Sequence, residues 1–266
     1  MNRMLDRVVL VTGAGRGMGR SHCVRLAEEG ASIIAVDLAS SSDDLATTAD
    51  EIAWVGGACI TAHADVRDLE ALRSAVSTGI ERFGRLDAVV ANAGIYPAAG
   101  RSWELDDDDW QRALDVNLTG AWHTVKATVP QMVSGGAVVI IGSTNAIKGT
   151  AGTSHYCASK HGVVGLAQTL ANELGAQGIR VNAVHPGSVG TPMILNDTVF
   201  AKLRPDLASP GAEDAAVALA SRNLLGVPWV DPVDVSNAVL FLLSDEARYV
   251  TGINVAVDAG LLAKVS

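Results

Sequence analysis

The stretch Val8-Val9-Leu10-Val11-Thr12-Gly13-Ala14-Gly15-Arg16-Gly17-Met18-Gly19 decides the fold. Four consecutive β-favouring apolar residues with no polar alternation read as a strand buried on both faces. The glycines that follow permit a tight turn, and residues 18–29 then carry a helical pattern. A glycine-rich turn between strand and helix lets the backbone approach a pyrophosphate, and the helix start offers free N–H groups and positive dipole. The spacing is G-x-x-x-G-x-G rather than G-x-G-x-x-G, but the position after the first strand is that of a dinucleotide site.

The same rhythm continues outward. Short apolar runs at 8–11, 32–36, 59–63, 86–91, 137–141, 180–184 and 253–257 read as strands. Helical patterns at 18–29, 43–55, 69–83, 107–132, 155–176 and 234–243 lie between them. Such alternation predicts an α/β fold, a parallel sheet with helices on both faces. No repeat or interdomain linker interrupts residues 1–266, so a single domain is expected. Only 188–230, rich in proline and small residues, breaks the pattern; it reads as a mobile excursion over the active site.

Composition narrows the function classes. The 266 residues are 48% hydrophobic and 18% charged, with a formal net charge of −9. That balance argues against a nucleic-acid surface or an anionic membrane, both of which attract basic patches. Cys23, Cys59 and Cys157 have neither disulfide nor metal-ligand spacing and read as small buried thiols. No cluster suggests a metal, and the acidic run 106–109 reads as a solvated helix cap. No apolar run reaches membrane-spanning length, and the first residues lack signal-peptide character, so a cytoplasmic protein is expected.

Three further strand ends point at the same crevice. Asp37, ending the second strand and followed by Leu38, can accept both adenosine ribose hydroxyls and would repel a 2′-phosphate, which favours NAD over NADP. Arg16 pulls toward NADP but weighs less. Asp65-Val66 is placed to face the adenine. Asn92-Ala93-Gly94 lets the backbone pass close to the cofactor. Gly13, Gly17, Met18 and Gly19 complete that side.

Ser143 follows the fifth strand, and Tyr156 and Lys160 sit i and i+4 on one helix face. A phenol of pKa ~10 is a poor acid or base near neutrality, and a neighbouring ammonium is expected to lower it. Tyr156 would then exchange a proton with an alcohol oxygen that Ser143 holds. Lys160 would also bond the nicotinamide ribose. Asn117, an amide inside an apolar helical pattern, is expected to kink its helix and hold a water linking Lys160 to solvent. Ile95, Tyr96, His155, Met193 and Trp229 are the candidate substrate contacts, with Ile194, Leu195, Phe200 and Leu203 adding apolar area. His185 reads as structural.

Taken together, Thr12-Gly-x-x-x-Gly-x-Gly19, Asn92-Ala-Gly94, Asn117, Ser143, Tyr156-x-x-x-Lys160 and Pro186-Gly187 resemble the motif set of the short-chain dehydrogenase/reductase family over residues 7–260. The resemblance implies a Rossmann sheet in the order 3-2-1-4-5-6-7 and the catalytic roles above. It further implies that Pro186, Gly187, Val189 and Thr191 serve the nicotinamide end. It also implies a homotetramer, with the helices around Asn117 and Tyr156 at one interface and the C-terminal strand at another. Gly19-Arg20-Ser21-His22, Val116-Asn117-Leu118-Thr119-Gly120-Ala121-Trp122-His123, His155-Tyr156-Cys157-Ala158-Ser159-Lys160-His161-Gly162 and Val227-Pro228-Trp229-Val230-Asp231-Pro232 resemble its carveol-dehydrogenase, mycofactocin-coupled subgroup. That subgroup implies tightly held NAD and cyclic or terpenoid alcohols. Its insertion after the second strand is short here, at 38–53. The expected activity is NAD-dependent interconversion of a hydrophobic secondary alcohol and its ketone. A 3-oxoacyl-thioester reductase and a non-catalytic NAD(H) sensor are the alternatives.

Overall fold

The computed structural model describes residues 2–265. Seven strands, β1 (Val8–Thr12), β2 (Ser32–Asp37), β3 (Ala58–His63), β4 (Ala88–Ala91), β5 (Ala137–Ile141), β6 (Arg180–Pro186) and β7 (Asn254–Val257), form one sheet in the order β3-β2-β1-β4-β5-β6-β7. The pairings between them are parallel.

Alternation along each strand divides the core in two. Val8 and Leu10 of β1 face one layer, packing with Leu72 and Val76 of α3 (Leu69–Phe83), Val125 of α5 (Gly120–Thr128) and Val163 of α6 (Ser154–Leu174). Val9 and Val11 face the other, with Leu26 of α1 (Gly17–Ala27), Ile52 of α2 (Ser42–Trp54) and Val239 and Leu240 of α9 (Pro232–Leu243). Every residue of β1, β4 and β5 is buried. This is why their sequences show no polar face. The edge strand β3 alternates in exposure instead.

Two expectations need correction. The helix predicted over 107–132 is not continuous. It begins as α4 (Asp107–Leu114), capped by the Asp106 carboxylate on the Asp108 N–H, and then widens into a π-helical turn at Asp115–Thr119 before α5. Asn117 in that turn spends its side chain on the chain at Ile95, and Gly120 lies so close to Val66 that a Cβ would sit 2.5 Å from it. The second correction concerns the excursion 188–230. It contains two short helices, α7 (Asp197–Leu203) and α8 (Ala212–Ala220). Their few turns were too brief to show a period. A parallel bridge between Val189 and Val230 ties the ends of the excursion together.

Candidate active site

The carboxyl ends of β1, β2, β4, β5 and β6 meet on one edge of the sheet, where strand order reverses between β1 and β4. Open α/β sheets bind ligands at such a switch point. At the end of β1 the glycines are required by contact. A Cβ on Gly19 would lie 1.9 Å from the Gly13 carbonyl oxygen, and one on Gly13, whose φ is +67°, would lie 2.9 Å from Ala93 Cα. The turn therefore presses against the end of β4, and α1 starts with no side-chain cap and no acid in its first turn. Its first N–H groups remain available to an anion.

Asp37 both completes this turn and faces it. One carboxylate oxygen accepts from Gly15 N at 2.8 Å and the other from Leu38 N at 2.8 Å. Each oxygen keeps a lone pair for a ribose hydroxyl. A 2′-phosphate there would stand against a carboxylate already fixed in place. Arg16 is exposed at the start of α1. Asp65 is tied to its neighbour Arg67 at 2.6 Å, and that guanidinium holds the carboxyl below its usual range. The Val66 carbonyl lies 3.2 Å from His123 Nδ1.

Asn92 is bound into the β1 turn. Its side-chain N–H donates to Thr12 O and Gly13 O, at 2.9 and 3.2 Å, while Thr12 Oγ1 accepts from the N–H groups of Asn92 and Ala93. Asn92 Oδ1 is buried with no partner, an unused acceptor at the end of β4. The bare helix start, the glycine contacts, Asp37 and this orphaned acceptor together fit a dinucleotide.

Ser143 leaves β5 with its backbone held by the ring of His185, whose Nδ1 lies 3.1 Å from Ser143 O and whose Nε2 lies 2.8 Å from Asn254 Oδ1. Burial lowers His185. The ring is a fixed brace, as its structural reading anticipated. Ser143 and Tyr156 face the same cleft, and Ser143 Oγ accepts from Asn145 N at 3.1 Å. Lys160 is buried on the same helix face, its Nζ 5.8 Å from the Tyr156 ring centre and donating to Ile141 O at 2.8 Å.

The electrostatics differ from the expectation. Burial pushes the Tyr156 phenol up to about 12, against a smaller lowering by Ser143. Burial likewise lowers Lys160 to about 8. Desolvation dominates, so the phenol in the protein alone is a held proton rather than a phenolate.

Asn117 Oδ1 accepts from Ile95 N at 2.8 Å, and its Nδ2 donates to Ile95 O and to Ser159 Oγ. The amide clamps the strand-end loop at Ile95. A Cβ on Gly94 would lie 3.2 Å from this oxygen and 3.6 Å from Lys160 Nζ, so Asn117 and Lys160 approach the same backbone point.

Met18, Pro186, Gly187, Val189 and Thr191 line the cleft together with Ser143 and Tyr156, as do Tyr96, Met193, Ile194 and Leu203. Tyr96 meets the Tyr156 ring edge-on at 4.9 Å. The cleft has a volume of about 250 Å³ and opens to solvent. Three proposed substrate contacts lie elsewhere. Both ring nitrogens of His155 are buried without partners, away from the cleft wall. Trp229 packs over Gly190, 2.9 Å from where a Cβ would stand, covering the hinge made by the Val189–Val230 bridge. Ile95 is held by Asn117 outside the wall. Conversely, Asn145, Lys148, Lys202, Arg222 and Asn223 do line the cleft. They carry no motif, and most lie in or beside the irregular excursion, so no periodicity marked them.

Comparison with known proteins agrees with this geometry. A family model described as enoyl-(acyl carrier protein) reductase matches residues 13–262. The (−)-trans-carveol dehydrogenase of Rhodococcus erythropolis is 46% identical, over 99% of this chain and 100% of its own length. The trans-4-hydroxycyclohexanecarboxylate dehydrogenase of Sinomonas cyclohexanicum is 37% identical, over 97% of this chain and 94% of its own. The crystal structure of carveol dehydrogenase from Mycobacterium avium in complex with NAD superposes with a TM-score of 0.96 at 50% identity, covering 99% of this chain and 100% of that one. By motif, topology and relatives alike, the chain belongs to the short-chain dehydrogenase/reductase family.

Proposed function

We propose that this protein is an NAD-dependent oxidoreductase that interconverts a hydrophobic, cyclic secondary alcohol and its ketone. The observation that carries the reading is the meeting of Ser143 and Tyr156 on one cleft wall with Met18, Gly187 and Thr191, beside the uncapped start of α1. Relatives named for carveol and for a hydroxycyclohexane acid support the substrate class. The relative crystallised with NAD, together with Asp37, supports the cofactor.

The first-turn amides of α1, Asp37 and Asn92 would hold the dinucleotide, with Val189 and Thr191 at its nicotinamide end. Asp65, Val66, Ala93 and Gly94 would border its adenosine and ribose. When bound, the nicotinamide supplies the hydride acceptor in oxidation and the hydride donor in reduction.

The chain's own residues handle the proton. Ser143 Oγ donates a hydrogen bond to the substrate oxygen and fixes it beside Tyr156. In reduction, the neutral phenol gives its proton from Oη to the oxygen as that atom gains negative charge. In oxidation Tyr156 takes the proton back. Lys160 keeps positive charge near the phenol below pH 8 and favours whichever state leaves Oη negative. Asn117 secures the loop at Ile95 and so the cleft floor. Apolar residues such as Met193 and Leu203 exclude water from the reacting carbon.

The test is nicotinamide absorbance in assays with a panel of cyclic alcohols and ketones, using NAD and NADP in parallel. Turnover with NAD on at least one cyclic alcohol is expected. Failure on the whole panel with both cofactors, while NAD binds tightly, would favour a sensor.

The proposal extends to assembly and setting. Trp110 and Trp122, on α4 and α5, are 40% and 42% exposed, and β7 is an uncovered edge strand beside Ile253. Both faces suit contact with further copies, and we assign a homotetramer. Among the described residues no helix is long and apolar enough to cross a membrane, and we place the protein in the cytoplasm. The subgroup resemblance supports coupling to mycofactocin, which mass spectrometry of the purified protein for retained nicotinamide would test.

A further inference from the structure

The chain carries 29 acidic and 20 basic residues, yet the cleft reverses that balance. Lys148, Lys202 and Arg222 line it, and no carboxylate does among the described residues. None of the three is held in an ion pair there, although arginines such as Arg7, Arg25, Arg67 and Arg204 are paired. They come from three separate segments: the loop after Ser143, helix α7 and the turn that follows α8.

Lys202 is aimed by a specific contact. Its Nζ donates to the Tyr96 hydroxyl at 2.8 Å and lies 5.2 Å from the Tyr96 ring centre, and that ring meets Tyr156 edge-on at 4.9 Å. The ammonium therefore stands no further from the Tyr156 ring than those two spans together. It keeps two N–H donors uncommitted. Val199, Leu203 and Leu219 supply apolar wall to the same cleft.

From this arrangement we propose that the preferred substrate carries a carboxylate on the far side of its apolar body from the reacting carbinol. The carboxylate binds Lys202, with Lys148 and Arg222 contributing attraction. This deepens the oxidoreductase reading and rests on it for the position of the carbinol at Ser143 and Tyr156. All three cations are solvent-exposed, so discrimination of a carboxylate from its neutral amide rests on a charge-assisted hydrogen bond from Lys202 and is sensitive to salt. The phosphate of a phosphopantetheine arm shares this anionic chemistry, but a free carboxylate fits the short span from Lys202 to Tyr156.

The experiment pairs binding with turnover. Calorimetry titrates cyclohexanecarboxylate, which has no carbinol, and its amide onto the purified protein, with and without NAD. The carboxylate is expected to bind about tenfold tighter than the amide. Lys202→Gln should shrink that ratio about fivefold, Arg222→Gln and Lys148→Gln less, and added salt should narrow it in the wild type. In steady state, kcat/KM for a hydroxycyclohexanecarboxylate should exceed that for its amide by a similar factor. Equal binding of acid and amide, or a ratio untouched by Lys202→Gln, would overturn the proposal. So would a stronger preference for a phosphopantetheine thioester. Carboxylate preference in calorimetry without turnover of any alcohol would instead count against the oxidoreductase reading. Turnover of neutral alcohols without such a preference would sink this inference alone.

Discussion

The two halves of the cleft are built from different materials. The half nearest β1 is backbone: glycines fitted against carbonyls, an Asp37 carboxylate bonded to turn amides, an Asn92 side chain bridging two strand ends. The opposite half is side chain: Met193, Leu203, Lys202 and Arg222, carried on short helices and turns of the excursion. Backbone contacts tolerate almost no change, because no rotamer relieves a clash with a carbonyl. Side-chain walls tolerate much, and this permits one scaffold to serve many alcohols.

The comparison breaks most visibly at Gly19. A methyl group 1.9 Å from the Gly13 carbonyl oxygen forces the turn to open. Gly19→Ala is expected to cost about 3 kcal/mol or more and to abolish NAD binding, checked by chemical denaturation and calorimetry. A variant as stable as wild type would show that the turn is not the rigid half.

Lys160 sharpens the contrast from inside the site. Burial lowers it from 10.5 to about 8, so the unfolded chain binds this proton more strongly between those values. Its contribution to stability therefore rises as pH climbs from about 8 to 10.5, and below 8 the full cost of a buried ammonium is present. Replacing it by methionine also loses the bond to Ile141 O. The net expectation for Lys160→Met at pH 7 is a gain of about 2 kcal/mol in stability. Turnover should fall about a hundredfold. Melting curves across pH should show the stability advantage shrinking toward pH 10. A destabilised variant would mean the ammonium is better solvated than its burial implies.

The smallest effect is expected at Asp37. Asp37→Asn keeps an acceptor for Gly15 N but removes the charge that opposes a 2′-phosphate. The ratio of kcat/KM for NAD over NADP should drop about tenfold. An unmoved ratio would return cofactor choice to Arg16.

How much of this was legible in the sequence follows the same division. The parallel sheet and the position of Gly13, Gly19, Asp37, Asn92, Ser143, Tyr156 and Lys160 at strand ends and on one helix were readable, while the strand order came from the family resemblance. Buried parallel strands leave continuous apolar runs, and steric demands leave glycines at fixed offsets. An irregularity at Asn117 was expected and is present as a π-turn, but the clamp of Asn117 on Ile95 is a tertiary bond that no local pattern records. The rise of the Tyr156 phenol was not readable. Spacing along a helix gives the distance to Lys160 but not the burial that raises the phenol. The packing of Trp229 over Gly190 and the burial of His155 without partners are tertiary features that no local pattern records. Lys202 and Arg222 lay in the stretch with the weakest signal, and their convergence depends on how α7 and α8 fold back over the cleft.

The most direct test of the proton-transfer assignment removes a single oxygen. Tyr156→Phe should lower kcat by about a thousandfold or more, with NAD affinity within a factor of about two of wild type. Alcohol oxidation at a wild-type rate by that variant would contradict the account.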